Sequence, residues 1–211
     1  VINNYGIDPS KVVAVHNAVD FSGREDLMVE RGVKDKVVTF LGRITYQKGP
    51  EYFIDAAAKV LKRTKGVRFV MAGSGDMMTR AIRQVARLGI SDRFHFTGFL
   101  RGTDVQKMFA LSDVYVMPSV SEPFGISPLE AMRSNVPSII SYQSGAAEVL
   151  KYAFKVDFWD VDAMADDIYA LVNYPALSTF ASEHGLEEVN ALKWDYAAAK
   201  LKNIYEQLII K

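Results

Sequence analysis

Two cations, Arg43 and Lys48, share the segment Gly42-Arg43-Ile44-Thr45-Tyr46-Gln47-Lys48-Gly49-Pro50. A guanidinium can grip two phosphate oxygens at once, and an ammonium adds a compact point charge. Gly49 is a fitting N-cap and Pro50 a fitting first helical residue, which places Lys48 beside a positive helix end. The pair suits a diphosphate; the plainer alternative is two solvated loop cations. A second chemistry-bearing segment runs from Glu122 to Glu130, bracketed by Pro123 and Pro128. The prolines keep Glu122 in a loop and let a helix begin only near Pro128. Ser127 then reads as N-cap and Glu130 as the third helical residue of a capping box, so Glu130 has a structural duty at hand. The amides of Phe124, Gly125 and Ile126 stay open toward an anion. Glu122 is a carboxylate with no evident local partner, available for chemistry or simply solvated.

Other groups read more plainly. Gly73-Ser74-Gly75 resembles the opening of a dinucleotide fingerprint, but Met78 stands where the third glycine belongs, so a tight turn with close backbone approach is the better reading. Arg80, Arg83 and Arg87 read as a solvated helix face. Ser144-Gly145-Ala146-Ala147-Glu148 reads as a turn opening a short helix, and His16 and His95 as packing or hydrogen-bonding residues.

The elements that must position these loops follow from apolar patterning. Strands are expected at Val12–Val15, Val37–Leu41, Val67–Ala72, Phe94–Thr97, Val114–Met117, Ser138–Ser141 and Phe154–Val156. Several are continuous apolar runs, as strands covered on both faces require. Helical stripes run from Pro50 to Arg63, across Asp76–Leu88, and from Thr103, where Gln106 completes a capping-box pattern. From Asp162 onward the pattern is helical only, over 162–173, 175–190 and 194–210, the last with Trp194, Tyr196, Leu201, Ile204, Tyr205 and Leu208 as its stripe. The alternation predicts an α/β fold: a doubly wound, mostly parallel Rossmann-like sheet, helices on both faces and a helical tail, drawn as one domain over 1–211. Ligands of such sheets bind outside the carboxyl ends of the strands, where five glycine-bearing loops collect.

Composition narrows the chemistry further. The 211 residues are 49% hydrophobic and 24% charged, a globular profile. Lys plus Arg and Asp plus Glu both total 25, so the electrostatic footprint of a general nucleic-acid or anionic-membrane binder is missing. Without cysteine there is no disulfide or thiol nucleophile, and three scattered histidines do not make a metal cluster. No apolar run spans a bilayer and no signal peptide opens the chain, so a cytoplasmic location is expected. With Val1 rather than Met first, a fragment of something longer is expected.

Taken together, these segments resemble the carboxyl-terminal domain of the family 4 retaining glycosyltransferases, whose two-Rossmann-domain architecture is called GT-B. Val12-Val13-Ala14-Val15-His16-Asn17-Ala18-Val19-Asp20 is similar to that family's "V-I-P-N-G-V-D" strand, with His16 and Ala18 in place of Pro and Gly. Phe40-Leu41-Gly42-Arg43 with Lys48-Gly49 is similar to its "F-x-G-R…K-G" loop. Glu122-Pro123-Phe124-Gly125 through Glu130-Ala131-Met132 is similar to its E-x7-E segment, while Ser144 and Ala147 depart from its "G-G-x-P-E" turn. The resemblance implies a nucleotide-sugar donor (UDP-, GDP- or ADP-linked), retaining transfer and no metal or other cofactor. It implies that Arg43 and Lys48 bind the diphosphate and stabilise the leaving group, that Glu122 faces the sugar, and that Phe124, Gly125 and Ile126 touch sugar and phosphate. Glu130 then holds the ribose, and Gly42, Gly98 and Leu100 line the nucleotide. The acceptor belongs to an amino-terminal domain absent from this chain, toward which Trp194–Lys211 packs and through which alone a membrane could be met. The fragment by itself is expected to be inactive. Competing readings are a non-catalytic nucleotide-sugar module, another GT-B enzyme such as a sugar-nucleotide epimerase or a phosphorylase, and a nicotinamide-binding domain.

Overall fold

The structure, a computed structural model, describes residues 2–19 and 29–209. Asp20, Ile210 and Lys211, which closed two of the segments above, lie outside the described residues. The chain divides into two compact units, Gly23–Ala191 and the pair Val1–Ser22 with Leu192–Lys211.

The larger unit holds six strands: β1 (Lys36–Leu41), β2 (Val67–Ala72), β3 (Phe94–Gly98), β4 (Val114–Met117), β5 (Ser138–Ser141) and β6 (Phe154–Val156). All pair in parallel, in the order β3-β2-β1-β4-β5-β6. Each falls within a residue of its expected ends. The chain steps outward from β1 to β3, then returns to the far side of β1 as β4. Rossmann sheets reverse direction at this point, and the loops there diverge to leave a crevice.

Among its described residues the unit also has seven α-helices: α2 (Pro50–Arg63), α3 (Met78–Arg87), α4 (Thr103–Leu111), α5 (Ser127–Arg133), α6 (Ala146–Val149), α7 (Val161–Asn173) and α8 (Pro175–Ala191). Helices α2, α3 and α7 cover the face of the sheet that presents Val38, Phe40, Phe69, Met71, Val116 and Ile139. Phe53 of α2 anchors this layer, fully buried with its ring 5.7 Å from Phe40, 5.7 Å from Phe69 and 5.8 Å from Phe94. Alternation along the strands turns Thr39 and Tyr115 to the opposite face, where Phe109 of α4 meets Tyr115 edge-on at 5.6 Å.

Three local expectations are corrected. Val12–Val15 pairs with no strand among the described residues, and Val13 is 55% exposed; an extended segment becomes a strand only where another edge offers its hydrogen bonds. Helix α4 does begin at Thr103, but its N-cap is Gly102, without a side-chain cap. Helix α5 begins at Ser127 with Ile126 as N-cap, because the Ser127 hydroxyl is taken by the Tyr115 phenol at 2.7 Å. By contrast, Gly49 caps α2 in a left-handed conformation and Pro50 opens it, as expected.

Among the described residues of the smaller unit, α1 (Ile2–Tyr5) and α9 (Trp194–Ile209) are the α-helices, and α9 buries none of its residues. Its stripe is present but exposed, Trp194 at 50% and Tyr205 at 58%. Lys200 Nζ donates to the Ala14 carbonyl at 2.8 Å within this unit. No helix of the described residues is long and apolar enough to cross a membrane.

Candidate functional site

The reversal between β1 and β4 brings the two chemistry-bearing loops side by side. Gln47 in the loop after β1 accepts from the Val120 amide at 2.9 Å through its carbonyl, and donates Nε2 to the Ser121 carbonyl at 2.9 Å. Immediately beyond these stitches, the Lys48 ammonium forms an ion pair with the Glu122 carboxylate. The side chains are only 18% and 11% exposed, so neither is the solvated loop charge that the sequence left open. Glu122 does have a partner, 74 residues away in the chain and so beyond any local pattern. Arg43 is exposed and, among the described residues, its hydrogen bond goes to the neutral Gln47 side chain, at 3.3 Å.

Glycine at position 73 is explained here. A Cβ there would overlap the Gly42 carbonyl oxygen, and the residue sits at φ +144°. The loop after β2 thus lies directly on the loop after β1, with Ile44 donating to the Ser74 carbonyl at 2.9 Å. The glycine pair serves backbone approach, as its missing third glycine implied.

A cavity of about 420 Å³ opens against these loops. Of the expected site residues, Gly42, Arg43, Lys48, Leu100 and Glu130 line it. Gly98 does not; its carbonyl accepts from the Gly73 amide at 2.8 Å and from the Thr97 hydroxyl at 2.9 Å, shaping the loop behind the wall. Glu122, the partner of Lys48, stands outside the lining, as do Phe124, Gly125 and Ile126. Phe124 is buried and its carbonyl accepts from the Ala146 amide at 2.7 Å, while Ile126 is half exposed. Among the described residues no backbone carbonyl outside regular helices and strands accepts from the amides of Phe124, Gly125 or Ile126.

The lining also takes in Phe99, within the Gly98–Leu100 stretch expected at the base, and side chains that sequence reasoning did not single out for the site, among them Ser74, Gln106 and Ser127. Phe99 is 63% exposed and lies under the Arg101 guanidinium at 5.1 Å; an exposed aromatic in a glycine loop after a strand was the signal available. Gln106 and Ser127 were read as capping residues, which hid them. Beneath the cavity Tyr115 is fully buried, its hydroxyl on Ser127 Oγ at 2.7 Å and on the Leu41 carbonyl at 3.2 Å. Burial pushes its phenol well above the ordinary range, so it stays a neutral donor tying α5 to the end of β1. The constellation can therefore hold an anion between Arg43 and Lys48, with apolar and hydrogen-bonding surface extending toward Leu100 and Glu130.

Residues 25–185 match the family described as Glycosyl transferases group 1. An uncharacterized glycosyltransferase of Methanocaldococcus jannaschii is 31% identical over 98% of this chain and 56% of its own length. A solved glycosyltransferase from Rickettsia africae superposes with a TM-score of 0.82 at 21% identity, over 99% of this chain and 60% of that one. Anabaena HepE, solved in complex with UDP and glucose, gives a TM-score of 0.71 at 22% identity over 84% of this chain and 49% of its own. The chain spans about half the length of the curated relatives it matches. It belongs to the glycosyl transferases group 1 family, and its fold is the Rossmann-like half of the GT-B architecture.

Proposed function

We propose that this chain is the donor-binding half of a retaining, metal-independent glycosyltransferase, taking a nucleoside diphosphate sugar. The observation that carries the reading is the placing of Arg43, Lys48 and Glu130 around one cavity at the reversal of strand order. Arg43 and Lys48 hold the diphosphate and stabilise the charge that develops on it as the glycosidic bond to phosphate breaks. Such stabilisation comes from fixed cations and calls for no metal. Glu130 reaches the ribose, Phe99 and Leu100 border the base, and the sugar extends past the cavity lining to Glu122 and the amides of Phe124–Ile126. The solved relative with UDP and glucose supports this class of ligand. The acceptor is held by an amino-terminal domain of the same polypeptide, consistent with the share of its relatives that the chain spans.

Titration with UDP, GDP, ADP, NAD and the free nucleosides tests the reading. One wall of the cleft alone desolvates little of the ligand, so affinities of tens of micromolar to millimolar are expected, on the order of weak small-ligand binding. Arg43→Ala and Lys48→Ala each weaken diphosphate binding by about 1–3 kcal/mol and leave nucleoside binding nearly unchanged. Glu130→Ala weakens nucleoside diphosphate binding but not binding of pyrophosphate, which lacks a ribose. Equal losses for diphosphate and nucleoside in both cation variants would show that these side chains do not touch phosphate. Robust sugar transfer by the chain alone would overturn the two-domain assignment.

A further inference from the structure

Lys48 and Glu122 are held where they meet. The Gln47 stitches to Val120 and Ser121 fix the residue before each partner. The Glu122 amide donates to the Gln143 carbonyl at 3.1 Å, and its carbonyl accepts from the Gly145 amide at 3.0 Å. Its Cγ packs where a Cβ on Gly125 would come within 3.2 Å, so the loop leaves this side chain its room. The ion pair is thus built in from both backbones, unlike a mobile surface contact. Lys48 lines the cavity while Glu122 stands outside the lining and offsets its charge, so the formal charges left on the wall are the Arg43 cation and the Glu130 carboxylate.

We infer that Glu122 is a charge-selectivity residue of the anion cavity: its carboxylate competes with phosphate oxygens for Lys48 and disfavours each negative charge beyond those of a disubstituted diphosphate. The inference rests on the reading that Arg43 and Lys48 grip a diphosphate. In a nucleotide sugar both phosphates are esterified and carry one negative charge each. A terminal phosphate carries up to two near neutral pH, so a released nucleoside diphosphate or a longer polyphosphate brings additional charge toward the same carboxylate. The nearly dry setting of the pair makes that repulsion larger than between solvated groups. A consequence is easier release of the nucleoside diphosphate once the sugar has left.

The test uses inorganic pyrophosphate and tripolyphosphate, titrated calorimetrically into the wild type, Glu122→Gln, Lys48→Ala and the double variant, with melting curves on each. The expected result is pyrophosphate binding at least threefold tighter in Glu122→Gln, a larger gain for tripolyphosphate, and loss of both gains when Lys48 is also replaced. Unchanged or weaker binding in Glu122→Gln, while Lys48→Ala still lowers affinity, overturns the inference and leaves Glu122 as a mere holder of the ammonium. Lys48→Ala and Arg43→Ala both binding pyrophosphate like wild type would instead remove the diphosphate reading, and this inference with it. If Glu122→Gln does not fold, Glu122→Asp, which draws the carboxylate back by one methylene, must show the same gains in smaller size.

Discussion

At the amino ends of the strands, Asp35 accepts from Arg68 at 2.7 Å and from Arg93 at 3.2 Å, while Asp113 takes Arg31, Lys36 at 3.0 Å and the Val37 amide at 2.8 Å. At the carboxyl ends, among the described residues, Arg43 reaches a neutral amide at 3.3 Å and Lys48 one carboxylate, and glycines such as Gly73 and Gly75 stand where one loop's backbone meets another's. The same residue types are present at both ends. At the amino end two cations saturate each carboxylate and fasten the sheet; at the carboxyl end cations line a cavity without filling it. Charge alone therefore does not mark a ligand site here; incomplete satisfaction beside a cavity does.

The sharpest contrast is between two glycines. Gly73→Ala places a Cβ onto the Gly42 carbonyl oxygen at a φ of +144°, and is expected to destabilise the chain by about 3 kcal/mol or more in denaturant titrations. Gly32→Ala, in the segment before β1 with nothing within 4 Å of the added carbon, should stay within about 0.5 kcal/mol. Similar losses at both would erase the distinction between the two ends.

Removing the carboxylate that fastens the amino end comes next. Asp113→Ala should cost about 1–3 kcal/mol at neutral pH, since it strips Arg31, Lys36 and the Val37 amide of one shared acceptor. Burial alone raises the Asp113 carboxyl, but the hydrogen bonds from Arg31, Val37 and Lys36 outweigh it and hold the carboxyl below its usual value of 3.8. A group lowered on folding contributes its full stability above the unfolded value and loses it as pH falls through the folded one. The difference in stability between wild type and Asp113→Ala should accordingly shrink below about pH 4, while staying constant through neutral pH.

Smaller effects are expected around the cavity. Tyr115→Phe removes the donor to Ser127 and Leu41 and should cost about 0.5–1.5 kcal/mol. Arg43→Ala should leave stability within about 0.5 kcal/mol, because this cation fastens nothing, and change ligand affinity instead. A melting-temperature loss for Arg43→Ala as large as that for Asp113→Ala would place Arg43 among the fastening charges.

Much of this was legible in the chain itself. Apolar runs and stripes placed all six strands and every major helix, because periodicity is a local property that burial on one or both faces imposes. The prolines at 123 and 128 set the loop around Glu122, and Gly49-Pro50 set the start of α2. Motif order and strand-end location sufficed to bring Arg43, Lys48 and Glu130 into one hypothesis. Tertiary structure decided the rest. The strand order, which seats β4 beside β1, follows from how helices cover both faces and is not written in any single segment. That order pairs Lys48 with Glu122 across 74 residues, leaves Glu122 outside the cavity lining, and turns Gly73 into a contact point for Gly42. Val12–Val15 pairs with no strand among the described residues, since residue types favour an extended backbone but only a neighbouring edge makes a strand.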